Sequence, residues 1–212
     1  MKMTLVPIFI LIFGSLASAQ NGVGFDLGNG GMAASFDGGV HWSSLDLVEG
    51  IYRGVSPWRK LLVPVERGDV LKLVIDRAIS KCPAQFSGYY DLVNDFYSGW
   101  TFAGGPGWEQ RSSTGDANIS LPEGQYLIAL AAIQKQKKDG TTRFYVVRSV
   151  WNQLSALDQA ALIIHEIMYR LHIRAADARK PNSDWIRPSV AYLFSDTFAE
   201  SNNPGNCSVF SQ

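Results

Sequence analysis

The chain has 212 residues, 46% of them hydrophobic and 18% charged, and its lysines and arginines (19) match its aspartates and glutamates (19). That length suits one medium domain or two small ones. A zero formal charge with no basic stripe gives no support to nucleic-acid binding, which depends on neutralising phosphates. The short run KQKK at 135–138 is followed by Asp139-Gly140 and reads as a solvated turn.

The N-terminus has the layout of a secretory signal peptide. Lys2 supplies the positive start, residues 5–16 form an apolar run too short to span a bilayer, and Ala17-Ser18-Ala19 is a small-x-small cleavage site. The expected products are a cleaved signal peptide, 1–19, and a single α+β domain, 20–212, that is secreted or periplasmic. No cysteine sits at the cut, so a lipid anchor is not expected. No later apolar run reaches the length of a membrane span, so no stable membrane insertion is expected after cleavage. An uncleaved signal anchor is the alternative. The two cysteines, Cys82 and Cys207, suit one disulfide in an oxidising compartment, tying the C-terminal tail to the end of a central helix. Zinc binding by two cysteines without a CxxC is not supported.

In chain order, residues 20–39 are glycine-rich. GNGG at 28–31 lacks the Lys-Ser/Thr of a phosphate loop and reads as turn glycines, followed by a short strand at 32–36. Residues 44–52 read as a helix capped by Ser44 and ended by Gly54 and Pro57. Residues 69–81 carry an apolar stripe (Val70, Leu71, Val74, Ile75, Ala78) behind an Asp69 cap, with Pro83 as the stop. Residues 87–97 read as an aromatic-rich helix, either core or a carbohydrate-binding surface. Residues 99–124 read as a long glycine- and proline-rich loop studded with Trp100, Phe102 and Trp108, a candidate lid or specificity loop with Trp108 as a binding residue. Residues 125–150 read as a β-hairpin turning at Asp139-Gly140. A last helix spans 182–198, capped by Asn182 or Ser183 and accommodating Pro188 in its first turn. The fold expected is α+β: a small antiparallel sheet packed against three or four helices, with one central buried helix at 155–174.

That central helix, SALDQAALIIHEIMYRLHIR, concentrates the ionisable chemistry. Ser155 and Asp158 form a capping-box-like start. Leu157, Ala161, Ile164, Met168 and Leu171 share the core face. Asp158, His165, Tyr169 and His172 fall in a sector on the other side. Glu166 and Arg170 flank that sector at the i, i+4 spacing of an ion pair. Ionised groups on so apolar a helix must be partnered or reach solvent. Three readings stand side by side. In the first, Glu166 pairs with Arg170 while His165 bonds a neighbouring loop. In the second, the sector lines a groove in which Glu166 or His165 is a general acid or base and Arg170 or Tyr169 holds an anion. In the third, His165, Glu166 and His41 hold a metal. The zincin pattern needs histidines four apart, but here the fourth position is Tyr169, and His172 lies about 10 Å further along the axis.

GNGG (28–31), LDLVEGIYRG (45–54), LSALDQAALIIHEIMYR (154–170) and SDWIRPSVAYLF (183–194) together resemble an uncharacterised family of exported bacterial proteins with GNGG, LDLxE and QAALxxHExxYR motifs and no established activity. The resemblance covers most of the chain after the signal peptide. It implies His165, Glu166, Tyr169, Arg170 and Arg187 as the motif residues of a site. The expectation is a secreted or periplasmic envelope protein with a polar groove at His165, Glu166, Tyr169 and Arg170, in a binding or structural role. The alternative is an envelope-directed hydrolase with Glu166 as general base. No cofactor is expected, with zinc on His165 as the alternative. The partner expected is an envelope polymer or a peptide.

Overall fold

The computed structural model describes residues 25–26, 31–62, 66–103, 121, 126–136, 142–175, 184–201 and 204–210. The expected signal peptide, its cleavage site and Trp108 lie outside the described residues. In chain order the elements are strands β1 (Phe25–Asp26), β2 (Met32–Ser35) and β3 (Ser43–Ser44), helix α1 (Leu45–Tyr52), a 3-10 turn (Arg59–Leu61), helices α2 (Arg67–Lys81), α3 (Pro83–Phe86) and α4 (Tyr89–Gly99), and strands β4 (Trp100–Ala103), β5 (Leu127–Leu130), β6 (Ala132–Gln136) and β7 (Thr142–Val147). Helices α5 (Arg148–Trp151), α6 (Ala156–Ala175), α7 (Ile186–Leu193) and α8 (Asp196–Glu200) follow, and a 3-10 tail (Pro204–Phe210) closes the chain. The class is α+β, as expected.

The strands form two sheets rather than one hairpin. One has the order β1-β6-β7-β4 and the other β3-β2-β5. The stretch 125–135, read as a single strand, breaks at Ala131. Leu127–Leu130 pairs antiparallel with β2, and Ala132–Gln136 pairs antiparallel with β7. The break is held by one carbonyl, that of Gly31, which accepts from both Ala131 N (2.9 Å) and Ala132 N (3.0 Å). The return strand ends at Val147 and turns directly into α5. Trp100–Ala103, read as the start of a long loop, is a strand running parallel to β7. Its WTFA sequence is strand-like, but the glycines that follow mask the signal.

The ends of several helices also differ from expectation. Helix α2 begins at Arg67 with Glu66 as its cap residue, so Asp69 lies inside the first turn. Ser44 precedes α1 but makes no side-chain capping bond. Pro83 does not simply end the preceding helix: it opens α3 at the first position, where its missing N–H costs nothing. The expected last helix is two helices. At Ser195 the backbone is extended and bridges to Pro57, and the Ser195 hydroxyl accepts from Phe198 N (3.0 Å) to cap α8.

Helix α6 is the element on which the others pack. It contacts α1, α2, α4 and α7 and both sheets. Ala160–Tyr169 is buried throughout, so the helix has no solvent face along that length. The disulfide forms as expected, joining Cys82, at the C-terminal cap of α2, to Cys207 in the 3-10 tail. It seats Phe210 among Phe86, Tyr192 and Phe198, with ring centroids 4.9–6.0 Å apart. No helix of the described residues is long and apolar enough to cross a membrane.

Candidate functional site

The polar residues of α6 are each taken up by a different element. At its N-terminus, Asp158 N donates to Ser155 Oγ (3.1 Å), and Ser155 Oγ donates to Asp158 Oδ2 (2.5 Å). The other Asp158 oxygen accepts Ser44 N (2.8 Å), which fastens the start of α1 to the start of α6. Burial pushes the Asp158 carboxyl up, against the pull of those hydrogen bonds.

Two turns further on, His165 Nδ1 lies 3.0 Å from both oxygens of Asp46, in the first turn of α1. Beside it, Glu166 Oε1 accepts the backbone N–H of Gly31 at 2.6 Å. Gln134 of β6 donates to the Glu166 backbone carbonyl (2.5 Å). The second carboxylate oxygen, Oε2, is buried and has no hydrogen-bond partner among the described residues. Burial pushes the Glu166 carboxyl up. His165 and the Gly31 amide oppose that shift, while Asp46 adds to it. A third link joins α1 to α7: Arg187 Nε donates to Glu49 Oε2 at 2.8 Å, with Arg53 (3.6 Å) and Asp184 (3.7 Å) alongside. These groups are enclosed, with Glu166 0%, His165 and Glu49 1%, Arg187 2% and Asp46 3% exposed.

The expected Glu166–Arg170 pair does not form. Glu166 turns to the Gly31 amide, and Arg170 Nη1 reaches Asp95 of α4 at 3.3 Å. The i, i+4 spacing permits the pair, but a carboxyl held toward its neutral form gains little from a cation, and Arg170 is already held by another helix. Tyr169 is buried, its ring nearly parallel to that of His165 at 6.4 Å. Asp158, His165, Glu166 and Tyr169, expected to line or flank a groove, are thus interior, and Arg170 is partly exposed. His172 lies in α6, its side chain outside those described. His41 does not approach His165: it is exposed and pairs with Asp37 (2.5 Å). Among the described residues, no three His, Cys, Asp or Glu side chains are placed to hold one metal ion.

The sequence reading placed His165, Glu166 and Arg187 in the cluster and missed Asp46, Glu49, Gly31 and Gln134. A signal existed in LDLVE, where two carboxylates three apart on an apolar helix each require a buried partner. Gly31 carries a second: a Cβ there would sit 2.2 Å from Leu162 Cδ1 and 3.0 Å from Glu166 Oε1, so only glycine lets this backbone approach α6. Chemically, Asp46 orients the His165 ring, and a neutral Glu166 has a proton to donate. No protein-family model, no curated protein and no solved structure matches this chain.

Proposed function

We propose that this chain is an exported protein of the bacterial envelope or exterior, in a binding or structural role. The residues of its motif segments act as an internal brace. The observation that carries this reading is the enclosure of three cross-element links, Asp46–His165, Gly31–Glu166 and Glu49–Arg187, each joining segments far apart in sequence. Buried polar groups held this way set the relative position of their elements, here α1, the Gly31 segment and α7 around α6. Breaking one such pair is strongly destabilising. The disulfide suits an oxidising compartment. The test is denaturant unfolding together with metal analysis of the mature protein and of its His165→Ala and Glu49→Gln variants. A brace predicts large stability losses in both variants and no bound metal in the parent. Stoichiometric metal lost in His165→Ala, with little change in stability, would sink it.

A second reading has its own observation. Glu166 Oε2 is buried and unpartnered among the described residues, beside a His165–Asp46 pair, an arrangement suited to proton transfer in an envelope-directed hydrolase. It is favoured if Glu166→Gln retains full stability and loses a hydrolytic activity on cell-wall polymer or peptide that the parent shows.

A further inference from the structure

A groove of about 480 Å³ lies between α2, α8 and the 3-10 turn at Arg59–Leu61. This volume is in the range of small-molecule sites. Its apolar surface comes from Trp58, half-buried, Leu73, which is 40% exposed, and the small Ala199. Its polar surface comes from Lys60, Arg77, Asp76 and Glu200. From these we infer that the groove is a binding site for a neutral saccharide of one to a few sugar rings, with Trp58 as the stacking platform.

Charge and shape argue for this class. The lining carries two cationic and two anionic side chains, so it offers donors and acceptors without a net field. Such a balance does not select a phosphate, a polyanion or a polyamine, each of which needs a surplus of one sign. It does suit a ligand with many neutral hydroxyls, each able to donate and accept. A sugar ring also presents a flat C–H face, which an indole covers well. Apart from Trp58, which precedes the 3-10 turn, the lining residues lie on helical segments and form no strand for an extended peptide to join, and Trp58 and Leu73 are too few large apolar side chains to anchor an amphipathic helix.

The groove is preformed. Lys81 donates to the carbonyls of Phe198 and Ser201, and Arg77 Nε donates to the carbonyl of Ala199 (2.9 Å). Two cations of α2 thus clamp the C-terminal end of α8, where helix carbonyls favour positive charge, and so hold the wall that bears Glu200. Across the floor, Asp76 accepts from Lys72 and from Tyr90 Oη (both 2.5 Å), which keeps its carboxyl low and ionised. Lys60 Nζ lies over the Trp58 ring, 5.9 Å from its centre; the side chain is exposed, so it can swing aside for a stacked sugar and keep its ammonium within reach of a hydroxyl. A rigid wall lowers the ordering cost of binding.

This inference goes beyond the brace reading and does not depend on it, because no group of the buried cluster lines the groove. The test is calorimetric and tryptophan-fluorescence titration of the disulfide-intact protein. The probes are chitotetraose, cellotetraose and maltotetraose, with an oligogalacturonate and tetra-alanine as comparators. At least one neutral tetrasaccharide should bind and perturb the fluorescence, and Trp58→Ala should weaken that binding by about tenfold, the weight of one aromatic platform. Trp58→Phe should retain most of it. Glu200→Arg, at an exposed position, should also weaken binding and serves if Trp58→Ala does not fold. The inference is overturned if no neutral tetrasaccharide binds at millimolar concentration. It is also overturned if the anionic or peptide probe binds better, or if the substitutions leave sugar binding unchanged.

Discussion

Glu166 offers the sharpest test of the buried cluster, because its amide and its truncation should behave differently. The carboxyl is enclosed and pushed above its ordinary value of 4.5. Between pH 4.5 and the raised folded pKa the unfolded chain releases its proton while the folded chain retains it. The contribution of this group to stability is therefore complete below that pH and declines as pH rises toward the folded pKa. The decline approaches about 1.4 kcal/mol per pH unit while only the unfolded state has lost the proton. Glu166→Gln removes the titration and keeps an oxygen for the Gly31 N–H. It should lie within about 1 kcal/mol of the parent at pH 5 and gain relative to it at pH 8. Glu166→Ala leaves the Gly31 N–H buried without an acceptor, about 1–3 kcal/mol, and gives up one buried methylene at about 0.8 kcal/mol. Its loss at pH 5 should be roughly 2–4 kcal/mol, read by urea unfolding with the disulfide intact. Equal losses in the amide and alanine variants, or an unchanged pH slope in Glu166→Gln, would refute the reasoning. Either would mean that His165 holds Glu166 ionised.

Further outcomes follow from the packing around α6. Gly31→Ala should destabilise by about 1–3 kcal/mol in the same assay, since the methyl would meet Leu162 at 2.2 Å. Gly50→Ala should also destabilise, although alanine is about 1 kcal/mol the better helix former, because its Cβ would lie 2.5 Å from Ala191 Cβ. Adding Ala191→Gly should restore most of the loss, and a double variant no better than the single would show that the contact is not limiting. Arg187→Met should lower stability by about 3 kcal/mol or more by removing the buried cation nearest Glu49, whereas Arg59→Met, at an exposed pair with Asp196, should change it by less than about 1 kcal/mol. Reducing the disulfide, whose cysteines are 125 residues apart, should lower stability by about 5 kcal/mol in the chain-entropy treatment. Full thiol labelling with an unshifted unfolding midpoint would contradict that value.

Much of the fold was legible because it rests on local periodicity. The 3.6-residue pattern located α1, α2, α4 and α6 to within a few residues, and the Asp-Gly turn announced the pairing of β6 with β7. The errors fall where partners distant in sequence decide the outcome. Nothing local to 125–135 reveals that the Gly31 carbonyl divides it between two sheets. Nothing in 182–198 reveals that Ser195 will leave the helix to bridge Pro57. Trp100–Ala103 becomes a strand only because β7 lies beside it.

The cluster divides the same way. By itself the sequence determined that α6 would carry His165 and Glu166 in an apolar run, that such groups would need partners, and that Cys82 and Cys207 could pair. Those conclusions follow from composition, spacing and the cost of burying charge. Only the tertiary structure decided which partners: Asp46 for His165, the Gly31 amide for Glu166, Glu49 for Arg187 and Asp95 for Arg170. Helical spacing fixes the angle at which a side chain leaves its own axis. What it meets there depends on elements more than 70 residues away in the chain for each of these pairs, and on a glycine small enough to let backbone reach a buried carboxylate.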